Sequence, residues 1–164
     1  MPYRTEAIPG GLFAVKREHF WGLKGYDSEF QLWGFENLEM SLKEWMCGGM
    51  LVVVPCSMVE HVHREKWPFG EEGSHQSNHN RNRVISTWVT EPWRSELFRN
   101  LGVELEEQKS LFAETAARRR ELSELQCNNF DWYLTNVDTS FNEELPSHLS
   151  EKLQKLKQLS LSSW

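Results

Sequence analysis

The sequence has no apolar run near the roughly 18–20 residues that a membrane-spanning helix needs; its longest strongly apolar stretch is Met50 to Val54. No membrane span is expected in this chain. It also has no excess of basic residues: the net charge is −6, which makes nucleic acid a poor default partner. No CxxC or CxxH spacing occurs to support a structural zinc site, and Cys47, Cys56 and Cys127 permit one disulfide with one thiol left over. The opening Met-Pro-Tyr-Arg-Thr-Glu has no apolar core of the roughly 7–15 residues of a signal peptide. Any secretory address is therefore expected outside these residues. No internal repeat is found.

What is present is globular. At 164 residues, with 39% hydrophobic and 26% charged residues, the chain can bury one core and is expected to form about one domain. Gly10-Gly11 precede the apolar run Leu12 to Val15, so Gly11–Val15 reads as a buried strand. Arg17 to Leu23 reads as a short helix. From Glu36, residues Leu38, Leu42, Trp45 and Met46 fall on one helical stripe, and Gly48-Gly49 ends that helix. Met50–Val54 is β-branched and continuous, as in a fully buried strand, and Met58 to His63 reads as a second extended piece.

Residues Arg64 to Asn82 show little apolar periodicity and read as a loop. Helical patterning is expected at Arg83 to Trp88, again over Leu97 to Leu125, and in a short helix holding Phe130, Trp132, Tyr133 and Leu134. Beyond Val137 the chain turns polar, then offers Leu149, Leu153, Leu156 and Leu159 as a narrow stripe. The bland expectation for that tail is a helix covering its own core.

Two places could carry chemistry. Glu36 and Glu39 lie at i and i+3 on the face opposite Leu38 and Leu42, directly after Trp33-Gly34. Acidic residues answering the positive end of the helix dipole explain them; so does a polar cluster that hydrogen-bonds sugar hydroxyls while Trp33 stacks on the ring. His61 and His63 share one strand face, with Arg64 next to them. They read either as core histidines or as part of a metal–diphosphate site, for which no nearby carboxylate stands at a recognisable spacing.

The run Gly10-Gly11-Leu12-Phe13-Ala14-Val15, then Tyr26-Asp27, Trp33-Gly34-Phe35-Glu36-Asn37-Leu38-Glu39, Trp45-Met46-Cys47-Gly48-Gly49, Pro55-Cys56-Ser57 and His61-Val62-x-Arg64 resembles the second half of the polypeptide N-acetylgalactosaminyltransferase catalytic domain. The likeness returns at Leu125-Gln126-Cys127 and Phe130-x-Trp132-Tyr133-Leu134-x-Asn136-Val137, so it covers about residues 5–137. The resemblance implies an α/β fold, the C-terminal portion of a GT-A nucleotide-diphospho-sugar transferase fold, with mixed short strands and helices. It divides the chain into residues 1–137, a partial catalytic domain, and 138–164, a tail in place of the lectin domain.

The implied activity is a retaining, manganese-dependent glycosyltransferase that moves GalNAc from UDP-GalNAc to Ser or Thr of a protein in the Golgi lumen, initiating mucin-type O-glycosylation. By the same resemblance Gly10 and Gly11 line the donor-sugar pocket. Trp33, Glu36 and Asn37 form its sugar- and acceptor-facing wall, with Glu36 and Asn37 as the catalytic pair and Glu39 supporting them. His61 is the Mn2+ ligand from this half, and Arg64 contacts the diphosphate at the base of a lid made by Glu65 to Gln76. Cys47 pairs with Cys127, leaving Cys56 unpaired.

Some positions depart from the family pattern: Phe35 replaces a Gly, Pro9 a small residue, Lys16 an acid and Glu60 a Gly. The upstream region that binds uridine is absent, and no Asp-x-Asp or Asp-x-His occurs in the chain. The isolated chain is therefore expected to be inactive. Two further readings stand beside this one: a truncated or non-catalytic relative acting as an interaction module, and a galactosyltransferase-type domain, in which the Trp-Gly-x-Glu element recurs.

Overall fold

The computed structural model describes residues 1–60, 62, 68–138 and 146–161, the last six of these by backbone alone. Its only described sheet is a two-residue ladder: β1 (Tyr3–Arg4) runs antiparallel to β2 (Val52–Val53), with Tyr3 opposite Val53 and Arg4 opposite Val52. Thr5 N donates to Leu51 O at 3.2 Å and continues the contact. The fully buried strand expected at Met50–Val54 is thus corrected to two strand residues. Leu51 alone is buried, while Met50, Val52 and Val54 are exposed. A β-branched run folds into a covered strand only where neighbours flank it, and a single short partner covers one edge.

The same reason corrects Gly11–Val15, which is not a strand. Among the described residues nothing pairs with its backbone, and Leu12, Phe13 and Val15 are exposed.

Helices make up the rest. α1 (Arg17–Gly22) and α2 (Glu36–Met46) lie where the patterning places them. The buried face of α2 keeps Leu42, Trp45 and Met46 of the expected stripe on the core but not Leu38. Leu38 is 39% exposed, whereas Glu39, Met40, Lys43 and Glu44 are buried with Trp45 and Met46. The charges are tolerated there because they are paired or hydrogen-bonded: Lys43 with Glu39 at 2.9 Å, Glu39 with Arg118 at 3.2 Å, and Glu44 in a 2.8 Å hydrogen bond with His19.

The loop expected from Arg64 to Asn82 is corrected to a helix from its seventh residue onward, since α3 spans Gly70–Trp88. Apolar periodicity misses it because its middle buries polar groups, Asn80, Asn82 and Arg83, before Val84, Ile85 and Trp88 enter the core. The expected helical stretch Leu97 to Leu125 starts earlier and is broken into α4 (Trp93–Asn100), α5 (Leu105–Glu114) and α6 (Ala116–Ser123). Gly102, at φ +69°, interrupts it once. The second break is at Thr115, whose Oγ1 donates back to Leu111 O at 2.9 Å.

α7 (Phe130–Asn136) starts on an Asn129 cap, whose side chain accepts from Trp132 N at 3.0 Å. The disulfide Cys47–Cys127 joins the end of α2 to the approach to α7, and Asn128 N donates to Met46 O at 2.7 Å beside it. Cys56 is a free, exposed thiol. α8 (Ser147–Leu161) lies on α7, and its Leu149 and Leu153 enter the same core as Trp93, Tyr133 and Leu134. Two fully buried leucines contribute about 1.5–3 kcal/mol each, so the tail is part of the domain's packing.

Candidate functional site

The residues before α1 and those entering α2 face each other across a cleft of about 930 Å3, lined by Pro9–Leu12, Trp33–Leu38 and Ser77. The first wall is tied to the second by α2 itself. Asn37 Nδ2 donates to Ile8 O at 3.0 Å, and Ile8 N donates to Ser41 Oγ at 3.1 Å. Gly10 follows at φ +107°, its Cα side turned to Asn37. Gly10 and Gly11 both line the cleft, and without a side chain they allow close approach to the backbone.

The second wall is a tight turn. Gly34 takes φ +105°, and a Cβ built on it would lie 2.5 Å from Ser77 Oγ, so only glycine fits. Phe35 caps α2 in the left-handed region, φ 68°, without a side-chain hydrogen bond. Glu36 folds back instead, its Oε2 accepting from Gly34 N at 2.8 Å. Thus the acid at the helix start steadies its own turn and still lines the cleft. Trp33 is 47% exposed and stacks on Phe69 with ring centroids 6.5 Å apart.

Glu39 sits one helical turn below, with no face toward the cleft. Its carboxylate is buried between Lys43 and Arg118, both of which also donate to Gly25 O. Burial pulls the Lys43 ammonium below the ordinary lysine value, against the opposing charge of Glu39. Tyr26, half-buried nearby, is held above the usual phenol value by burial and then by the charges of Glu36 and Glu39. Glu39, in the sequence either a member of a sugar-binding polar cluster or a support for the wall, is buried and outside the cleft lining.

The structure therefore brings Gly10, Gly11, Trp33, Glu36 and Asn37 together. His61 and Arg64 lie outside the described residues, as do Glu65 to Trp67 of the expected lid, while Gly70 to Gln76 of that segment are helical. Among the described residues no three His, Cys, Asp or Glu side chains gather around one point. Three residues escaped the sequence reading: Ser77, Asn80 and Arg83, all on α3. Asn80 bonds the Gln31–Gly34 backbone, and Arg83 grips Asp27. Their i, i+3 spacing was the available signal, but without a helix assigned to that stretch it has no meaning.

Chemically, the cleft offers an aromatic face, a carboxylate, a carboxamide and exposed glycine backbone, a set that suits a polyhydroxylated ring. A second groove of about 800 Å3 lies across Leu12–Val15 from β2, with an apolar lining that includes Phe13, Met40 and Val52.

The family described as the N-terminal domain of galactosyltransferase matches residues 1–66. Polypeptide N-acetylgalactosaminyltransferase 11 of Xenopus tropicalis is 42% identical over 139 residues, 83% of this chain and 22% of that protein. Polypeptide N-acetylgalactosaminyltransferase 3 of Homo sapiens is 37% identical over 139 residues, again 83% of this chain and 22% of the relative. The crystal structure of GalNAc-T7 with UDP, GalNAc and Mn2+ superimposes with a TM-score of 0.73 at 34% identity, covering 88% of this chain and 26% of that one. The chain thus spans about a quarter or less of the length of these relatives.

Proposed function

Because the chain belongs to the polypeptide N-acetylgalactosaminyltransferase family, we propose that it supplies the second half of an active site that moves GalNAc from UDP-GalNAc to Ser or Thr of a protein. Its α/β architecture is that of a GT-A-type segment. The observation that carries the proposal is the cleft itself, where the Gly10-Gly11 backbone meets Trp33, Glu36 and Asn37.

In this reading Trp33 offers its ring to the apolar face of the sugar. Glu36, preorganised by its bond from Gly34 N, accepts from a sugar hydroxyl. Asn37 holds the Ile8–Gly11 wall against α2 while presenting the rest of its amide to the cleft. Such fixed partners act by positioning and by stabilising charge as it develops, which supply most of the catalysis in group transfers of this kind.

Manganese belongs to the family's reaction, and the GalNAc-T7 structure contains it. The described donor set does not fit a manganese site on its own, so no step is routed through the ion. His61 as its ligand and Arg64 as a diphosphate partner belong to the proposal on resemblance alone. The Golgi lumen is the proposed location, and a disulfide suits that oxidising route.

One observation favours a galactosyltransferase-type reading, the family match over residues 1–66. The likeness to GalNAc-transferases extends over 139 residues, and it is the better guide to the donor.

Transfer assays test the proposal. The purified chain is expected to show no transfer to a Ser/Thr peptide. Fusion to a family-type upstream half is expected to restore transfer from UDP-GalNAc over UDP-galactose, and Glu36→Gln or His61→Ala to abolish it. Turnover by the 164-residue chain alone would overturn the half-site reading; preference for UDP-galactose would overturn the donor.

A further inference from the structure

We infer that Asn80, in the middle of α3, is a positioning residue for the sugar-facing wall: its side-chain amide sets the backbone that carries Trp33 and Glu36 into the cleft. The functional half of this inference rests on the donor-site reading above. Asn80 is 1% exposed. Its Oδ1 accepts from Gln31 N at 2.8 Å, and its Nδ2 donates to Gln31 O at 2.8 Å and to Gly34 O at 3.0 Å, with Trp33 O at 3.4 Å sharing the same donor.

The segment it holds has one local support, the bond from Gly34 N to Glu36 Oε2 at 2.8 Å. Leu32, Gly34 and Phe35 all have positive φ, at 46°, 105° and 68°, so the chain from Gln31 to Phe35 forms neither helix nor strand. Between the Phe30 N to Asp27 O bond and the first turn of α2, no backbone–backbone hydrogen bond occurs among the described residues. Asn80 replaces those bonds. It pairs with the N–H and C=O of one residue, Gln31, as a neighbouring strand would, then reaches along to Gly34. Only a side chain with both a donor and an acceptor does this. Aspartate would set its charge against the Gln31, Trp33 and Gly34 carbonyls, and an apolar residue would leave the buried Gly34 carbonyl without this donor.

The anchor is itself anchored. One helical turn on, Arg83 is locked to Asp27, and one turn before, Ser77 touches Gly34. The placement of α3 against the core thereby sets the placement of Trp33 above the cleft.

The test uses the 15N-labelled full chain, with the Trp33 indole assigned through Trp33→Phe and free GalNAc as the probe. Asn80→Ala and Asn80→Asp are compared with the wild type at a temperature where each is folded, judged by an unchanged Trp93 indole resonance. The expected result is a displaced or broadened Trp33 indole and Gly34 amide in both variants, with GalNAc affinity lower by about tenfold or more. Folded variants in which both resonances stay in place overturn the inference and leave the donor-site reading untouched. If neither variant folds, hydrogen exchange of the wild-type Gln31 amide decides: protection supports the inference, and exchange at the rate of an open loop overturns it. If GalNAc moves no wild-type cleft resonance, the donor-site reading fails and takes the functional half of the inference with it, while the Trp33 displacement still decides the structural half.

Discussion

Arg83 grips Asp27 with two hydrogen bonds of 3.0 Å, from Nε to Oδ2 and from Nη2 to Oδ1, and both side chains are buried. The pair nails α3 to the Tyr26–Glu29 turn, from which the chain runs into the Gln31–Gly34 segment of the cleft. Arg83→Ala leaves a buried carboxylate without its partner, and the expected loss of stability is about 3–5 kcal/mol. Arg83→Lys restores one contact at most, because an ammonium cannot match the two-pronged geometry. Urea unfolding should rank wild type, Lys and Ala in that order, and an Ala variant within about 1 kcal/mol of wild type would show the pair to be dispensable.

The disulfide Cys47–Cys127 closes a loop with a sequence separation of 80 residues. In the chain-entropy picture a loop of that size restrains the unfolded state by about 4–5 kcal/mol. Reduction, or a Cys47→Ala/Cys127→Ala double change, is expected to lower the unfolding midpoint sharply. Alkylation of Cys56 alone should leave the midpoint in place, since that thiol is exposed and unpaired. Equal midpoints for oxidised and reduced chains would contradict this.

What could be read from sequence followed how locally each element is specified. α2 ends where Gly48-Gly49 follows it, and α7 begins where Asn129 precedes it; such caps are written in adjacent residues. The buried face of α2 could be read only in part, because apolar periodicity finds Trp45 and Met46 but assumes that what is buried is apolar, and Glu39 and Lys43 are buried as a pair. α3 failed for the same reason: Asn80 and Arg83 find their partners 31–56 residues away. The two strands failed differently. Val52 and Val53 state a preference for extended backbone, but nothing in them says how much neighbouring strand exists to cover them. At the cleft, the meeting of Gly10 with Asn37 was expected from the resemblance alone, since no local signal joins them.

Tyr133 gives the chain an alkaline limit. Burial, then the charges of Asp138 and Glu6, push its phenol up to about 12. The raised value means that the folded state keeps a proton that the unfolded state, with an ordinary value near 10, gives up first. The stabilisation is complete below pH ~10 and is lost as pH rises toward about 12, by up to roughly 2–3 kcal/mol over two pH units. Tyr133→Phe should flatten that part of the stability–pH curve. Parallel curves for the two proteins between pH ~10 and ~12 would refute the assignment.

Leu149 and Leu153 are fully buried on α8, against α7 and Trp93. Leu153→Ala is expected to cost about 2–5 kcal/mol, and the double Ala variant to release α8. The readout is loss of hydrogen-exchange protection along Ser147–Leu161. A double variant that loses stability by less than about 1 kcal/mol would mean that the tail rests on the domain without holding it.

Phe35 sits where a side chain is a liability. At φ 68° it is left-handed, a conformation that costs an L-residue about 1–2 kcal/mol and glycine almost nothing. Its ring recovers part of that by packing, half-buried, against the core. Removing the ring as Phe35→Ala loses the packing and keeps the strain; removing it as Phe35→Gly loses the packing and relieves the strain. The glycine variant should therefore be the more stable of the two by about 1 kcal/mol, the reverse of the usual order for residues within a helix. It should also open the cleft beside Glu36, and so take GalNAc more readily than the wild type in the titration described above. If alanine proves as stable as glycine at this position, the left-handed turn before α2 is not the conformation in solution, and the wall built on Gly34 and Glu36 has to be redrawn.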